Sequence, residues 1–274
     1  MENLARIEAQ LENLNELGSL MGALRSMAAS RAREAQDAFA GTRAYRKIIE
    51  RAIAGVAPLV RNADAPDPSE ECVLIVVTSE NGFVGGFNSR IVEHAGQVRK
   101  AKERLLLIGR RGQITAQEHG LRADRSLSMA ARAREVTSLA RRVASDLSNA
   151  RSARILSARY RPGANFEVGE TQVLPLNTAM LAKDTPCEPP LHQLPPDRLL
   201  ESLAREYLFA ELAAALMESL ASENGARLRT MDAASHNIED RLEKLRRKER
   251  AARQEQTTAD MLDVVTGAEA VKQG

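Results

Sequence analysis

Apolar residues recur at helical spacing near both ends of the chain and in unbroken runs between them. Toward the C-terminus, Leu199, Leu203, Tyr207, Leu212, Leu216 and Leu220 fall three to five residues apart. Leu228, Met231, Ser235, Ile238, Leu242 and Leu245 continue the stripe. No proline follows Pro196, and only Gly225 and Gly267 interrupt a segment dominated by Leu, Ala, Glu, Arg and Met before the terminal Gly274. These are the strong helix formers. A seam sustained this long is a coiled-coil pattern. At 1.5 Å per residue the helix from about 199 to 271 reaches roughly 110 Å and needs a partner along its length.

That partner is legible at the other end. Residues 3–57 place Ile7, Leu11, Leu14, Leu17, Met21, Leu24, Ala28, Ala35, Ala38, Tyr45, Ile49, Ile53 and Val56 on one stripe, and Pro58 closes it. Its middle turns small, with Ser26, Ala28, Ala29, Ser30, Ala32 and Ala35, so two backbones can approach closely there. The two helices lie at opposite ends of the chain, which predicts antiparallel pairing.

Between them the period changes. After a breaker-rich linker, Pro58 to Glu71, Cys72 to Thr78 is a continuous β-branched run, the mark of a strand buried on both faces. A glycine-rich turn spans Ser79 to Asn88, a helix is predicted over 89–102, a second buried strand over 104–109, and a helix to about His119. A further helix covers 136–149, and strands cover 154–159 and 166–174, before a proline cluster at Pro186, Pro189, Pro190, Pro195 and Pro196. Strands alternating with helices predict a largely parallel sheet. The expected fold class is α/β: a long antiparallel coiled coil of N- and C-terminal helices plus a Rossmann-like α/β domain. The expected domains are 1–60, 61–197 and 198–274.

Composition narrows the classes. Basic and acidic residues nearly balance, 39 against 37, so local clusters must decide about partners. Two cysteines, Cys72 and Cys187, cannot build a disulfide framework, which favours a reducing compartment. No run of 18 apolar residues is present, and the start, Met1-Glu2-Asn3, carries no charged-then-apolar leader. A soluble intracellular chain is expected.

The chemistry-bearing motifs are few. The loop Thr78 to Asn88 could cradle a phosphate on the free amides of the following helix, or serve only as a tight turn needing glycine. It lacks the Gly-Lys-Ser/Thr of a P-loop and the Gly-x-Gly-x-x-Gly dinucleotide spacing,. His94, His119, His192 and His236 stand apart from any ligand spacing, so no metal, no cofactor and no catalytic residue is expected,.

Arg241, Lys244, Arg246, Arg247, Lys248, Arg250 and Arg253 crowd one part of the last helix. They read as a solvated face, a nucleic-acid stripe or a surface facing an acidic protein. Beyond Arg253, Ala259, Met261, Leu262, Val264, Val265, Ala268, Ala270 and Val271 make the end of the helix apolar. Such an end expects to be enclosed.

Several segments carry a resemblance to a known family. They are Ser26-Met27-Ala28-Ala29-Ser30-Arg31, the loop Gly82-Phe83-Val84-Gly85-Gly86-Phe87-Asn88, and near the end Ser222-Glu223-Asn224-Gly225-Ala226-Arg227-Leu228, Met231 to Asn237, Ala252-Arg253-Gln254 and Thr266-Gly267-Ala268. In this order they resemble the gamma subunit of F-type ATP synthases, strongly at both ends and weakly from about 110 to 195. Gly22-Ala23-Leu24, Glu80-Asn81 and Val84 depart from the family pattern. They suit a divergent bacterial branch such as the alternative ATPases that pump sodium.

The resemblance implies a non-catalytic rotor subunit that couples ion flow to ATP synthesis or hydrolysis in a hexamer of alpha and beta subunits. Its implied partners are that hexamer, an epsilon subunit and the membrane ring of c subunits, with no nucleic acid. The implied location is peripheral, on the cytoplasmic face of the bacterial inner membrane. Arg253, Gln254 and Thr258 match positions that contact beta. Arg246, Arg247, Lys248 and Arg250 form a basic collar, and Met261, Leu262, Val264 and Val265 an apolar bearing. The other reading of the residues is a small-molecule-binding α/β module, using the glycine loop, with a coiled-coil dimerisation arm.

Overall fold

The computed structural model describes residues 2–60, 71–175 and 191–272. The linker prolines Pro66 and Pro68, the cluster members Pro186, Pro189 and Pro190, and Cys187 lie outside the described residues, as do the side chains of Ala268, Ala270 and Val271. The elements in order are α1 (Glu2–Val56), a single 3-10 turn (Ala57–Leu59), β1 (Cys72–Val77), α2 (Phe87–Val98), β2 (Glu103–Ile108), α3 (Arg110–Glu118), β3 (Arg125–Leu127), α4 (Ala133–Asp146), β4 (Ser152–Arg161), β5 (Asn165–Leu174) and α5 (Pro196–Lys272). Pro196 heads α5, where its missing N–H costs nothing,. The chain divides into two compact units, 1–27 with 230–274, and 28–229.

In the first unit the buried or half-buried positions of α1 are 4, 7, 11, 14, 18, 21 and 24, and those of α5 include 231, 235, 238, 242, 245, 249, 252 and 256. From 4 to 21 in α1 and from 231 to 256 in α5 the steps alternate between three and four, a 3.5-residue period that winds two helices into a left-handed coil,. Arg253 pairs with Glu8 and Arg25 with Asp232, so the helices run antiparallel. The structure corrects one seam position in this unit, and a second, Tyr45, which is 37% exposed, in the other. Leu17 is 46% exposed, and Gly18 takes its place, where a Cβ would meet Ile238 Cγ2 at 3.5 Å. The strict heptad, not apolarity alone, selects position 18.

The second unit is layered on a five-stranded sheet of order β3-β2-β1-β4-β5. All neighbours are parallel except β4 and β5, which form an antiparallel hairpin. Val73, Ile75 and Val77 of β1 face one side, with Leu106, Ile108, Ala153 and Ile155, and pack on α4 and on Leu208, Leu212, Leu216 and Leu220 of α5. Leu74, Val76, Leu105, Leu156 and Ala158 face the other side and meet Phe87, Ile91 and Ala95 of α2. Layers on both faces explain why β1 reads as an unbroken apolar run. The edge strand β3, only three residues long, carries no such run and is absent from the sequence expectation.

The long helices also pair within this unit. Arg46 binds Glu211 at 3.1 Å, and the Tyr45 hydroxyl donates to Glu206. The Tyr207 hydroxyl donates to Glu211 at 2.9 Å. Burial of Tyr207 and the Glu211 charge beside it push this phenol far above its ordinary value.

Candidate functional sites: a filled crevice and an exposed helix end

In an open α/β sheet, ligands bind outside the carboxyl ends of the strands where the strand order reverses. Here α2 carries the chain from β1 to β2, and α4 carries it from β3 back across to β4. The reversal therefore falls between β1 and β4. The loop after β1 is the glycine-rich stretch, and its conformation needs its glycine at Gly85, which has φ 56°,. Phe83 shares the left-handed region at φ 60° and is 64% exposed. The loop is closed at its base by Asn88, whose side-chain oxygen accepts from Ser79 N at 3.0 Å while its Nδ2 donates to Ser79 Oγ at 2.8 Å.

The crevice is occupied by the chain itself. The Ser222 hydroxyl donates to Ala158 O at 3.3 Å, and Ala226 joins the core beside Phe87 and Phe166. A Cβ on Gly225 would lie 3.2 Å from Ala164 O, so the β4–β5 hairpin rests directly on α5 there. Arg227 Nε donates to Gly82 O at 3.2 Å, and Arg227 Nη2 donates to Glu223 Oε1 at 2.6 Å. The loop turns carbonyl oxygens toward a guanidinium, the opposite polarity from a phosphate cradle. This geometry removes the small-molecule reading of the loop.

Glu80 is equally committed. It accepts Met129 N at 2.8 Å and Arg110 N at 3.2 Å, and pairs with the Arg110 side chain. Burial pushes the Glu223 carboxyl up, and the neighbouring Arg227 offsets that only in part. Neither Glu223 nor Arg227 is singled out as a functional residue by sequence reasoning. The available signal was an i, i+4 Glu–Arg pair flanking a glycine inside a helix.

The residues implicated by the family resemblance stand elsewhere, all on α5 in the first unit. Between 241 and 253 seven basic side chains face two acidic ones, Glu243 and Glu249. Arg246, Arg247, Lys248 and Arg250 are all exposed. Arg247 pairs with Glu243, whereas Arg246, Lys248 and Arg250 have no ion-pair partner among the described residues. Arg253 reaches Glu249 at 2.9 Å and Glu8 at 3.2 Å, yet stays 63% exposed. Gln254 is exposed, and its carbonyl accepts the Thr258 hydroxyl one turn on at 2.9 Å.

Beyond Gln256 every described side chain is exposed. Met261 (68%), Leu262 (61%), Val264 (73%) and Val265 (55%) form an apolar surface on this end of the helix. Exposed apolar surface on one stretch of a helix is the feature by which interaction sites are sought. The structure thus brings the collar residues and Arg253, Gln254 and Thr258 into one continuous exposed stretch, followed directly by the apolar residues.

No helix among the described residues is long and apolar enough to cross a membrane. Nor do they contain a group of three or more His, Cys, Asp or Glu arranged to hold a metal ion.

Comparison with known proteins accounts for this combination. A family model described as ATP synthase matches residues 3–271. The ATP synthase gamma chain of Sulfurovum sp. (strain NBC37-1) is 25% identical over 295 residues, covering 99% of this chain and all of that one. The gamma chain of Bdellovibrio bacteriovorus is 26% identical over 307 residues, with the same coverage.

Among solved structures, a chain of the Euglena gracilis mitochondrial ATP synthase (OSCP, F1 and c-ring, rotational state 3) shares the fold. Its TM-score is 0.67 at 14% identity, over 98% of this chain and 95% of that one. A chain from the central stalk and c-ring of the Tetrahymena thermophila mitochondrial ATP synthase gives 0.58 at 18% identity, over 79% of this chain and 99% of that one. With its paired terminal helices, mainly parallel sheet and family match over nearly its whole length, the chain belongs to the ATP synthase family, as a gamma subunit of the F-type enzyme.

Proposed function

We propose that the first unit is the part of a central rotor shaft that works against the alpha and beta subunits. The observation that carries this reading is the order of surfaces along α5. A paired heptad seam carries an exposed basic stretch on its outer face, and beyond the last seam position, 256, comes an exposed apolar end. An apolar helix end makes few directional bonds, which suits a surface that must turn inside a sleeve. Arg246, Arg247, Lys248 and Arg250 are placed to face acidic loops of beta by charge complementarity. Arg253, Gln254 and Thr258 serve as the specific contacts to the hexamer, and Met261, Leu262, Val264 and Val265 as the bearing.

The α/β domain, 61–197, together with the adjoining parts of the two helical segments, 1–60 and 198–274, sits toward the ring of c subunits and the epsilon subunit. Ion flow turns the shaft, and the shaft drives the nucleotide sites of the hexamer. The enzyme is bound to the bacterial inner membrane, and this subunit lies at its cytoplasmic face without entering the bilayer.

Reconstitution of the full chain with alpha and beta subunits tests the assignment. The wild-type chain is expected to join the hexamer and support coupled ATPase. The double variant Arg253→Ala, Gln254→Ala is expected to weaken assembly or coupling while its own fold, followed by circular dichroism, is unchanged. Wild-type assembly and coupling in that variant would remove both residues from the contact set. Failure of the wild-type chain to join any hexamer would remove the rotor role.

A further inference from the structure

The rotor role leaves the buried charges of the crevice unexplained. Glu223 is 3% exposed and Arg227 8%. One guanidinium reaches two elements: Glu223 (2.6 Å) and Asn224 Oδ1 (3.0 Å) on its own helix, and Gly82 O (3.2 Å) and Asn81 O (3.4 Å) on the loop after β1. The pair therefore stitches α5 to the loop at the carboxyl end of β1.

Such a pair is a poor source of stability. Apolar residues of similar volume often serve as well or better, and the best-attested use of buried ions is to fix register. That use is needed here. The apolar face of α5, Leu208, Leu212, Leu216 and Leu220, repeats every four residues. A ridge with that repeat packs nearly as well after sliding one turn along the groove it fills. A forked donor bound to two loop carbonyls does not tolerate that slide.

We propose that Glu223 and Arg227 form a register lock: positioning residues that set the height and angle of α5 on the sheet. This rests on the rotor reading for its consequence, which is faithful transmission of rotation between the α/β domain and the shaft. The lock lies on α5 just ahead of Thr230, where the chain passes from the second compact unit into the first.

The test uses three variants of the full chain. Arg227→Ala alone strands a buried carboxylate and is expected to lower the melting temperature. The double variant Glu223→Leu, Arg227→Met is expected to melt close to wild type. Its amides in the loop 80–86 should nevertheless exchange with solvent about tenfold faster, because the fork that held the loop is gone. Arg227→Lys keeps the charge but loses the planar fork, and should also show faster loop exchange with the helix intact.

In the assembled enzyme in vesicles, the double variant should hydrolyse ATP yet move several-fold fewer ions per ATP. Wild-type loop protection together with a wild-type pumping ratio in the double variant would overturn the lock. If the wild-type chain itself supports no pumping, the rotor reading falls, and the exchange measurement still judges the lock by itself.

Discussion

Every residue of β1 from Val73 to Val77 is at most 1% exposed, whereas among the described residues of the first unit only Ile7 and Met231 are buried apolar side chains. The same residue types, Leu, Ile, Val and Met, are thus used in two ways. In the layered unit each side chain is enclosed from several directions, so its removal leaves a cavity. In the two-helix unit each seam residue is covered by one partner and remains partly wet. Stability there accumulates along the seam, a little at each position, and the outward surface stays available for contacts. A shaft needs that availability.

The largest expected effect breaks or confirms this contrast directly. Leu106 is fully buried between β1 and β3, so Leu106→Ala should cost about 2–5 kcal/mol. Leu14, half-buried on the seam, should cost only about 1 kcal/mol when replaced by alanine, because less area leaves water there. Urea denaturation of the full chain, with hydrogen exchange to assign the loss to one unit, makes the comparison. Equal costs would mean that the seam is packed as tightly as the sheet.

A matched pair of glycine substitutions sharpens it, with opposite signs expected. Gly18→Ala places a methyl at ordinary contact distance from Ile238 and gains helix propensity of roughly 0.5–1 kcal/mol. Gly112→Ala has no such room. Its Cβ would fall within the side chain of Thr78, which is buried and donates to Ile108 O at 2.6 Å. The start of α3 would have to lift off the sheet, at a cost of roughly 1–3 kcal/mol. Melting temperatures of the two variants should move in opposite directions. Movement in the same direction would remove the distinction between a loosely and a tightly packed unit.

How far the sequence alone reaches follows the same divide. The seam and the buried strands are legible because each rests on a local period, 3.5 for the coil and continuous apolarity for β1 and β2. Leu17 misled because apolarity and the heptad disagree at that position, and the heptad prevails at Gly18. Arg125 to Leu127 escaped because three residues cannot show a period, and its place depends on pairing with Leu106 to Ile108. The glycine loop was the hardest to read. What fills the crevice beside it comes from Glu223 and Arg227, far along the chain, and no local pattern joins the two stretches. The exposed collar and apolar end were visible from composition, since exposure there needs no long-range partner to be inferred.

The smallest expected effect separates the units by pH. Glu218 lies half-buried on α5 in the second unit, and burial raises its pKa above the ordinary 4.5, against smaller opposing contributions from the Tyr160 N–H and nearby arginines. Well below that ordinary value both folded and unfolded chains hold the proton, and Glu218 adds no pH dependence. As pH rises through the ordinary carboxylate range, the unfolded chain releases its proton first. The folded state then binds more protons, so stability falls until the raised folded value is passed, after which the deficit is constant. Glu218→Gln has nothing to titrate. Relative to wild type it should therefore gain melting temperature between pH 4 and pH 8 by a small amount, and the gain should appear in hydrogen exchange of the second unit only. A relative gain on moving to acid instead would mean that the ionised carboxylate is the form the fold prefers, with the arginines around it outweighing its burial.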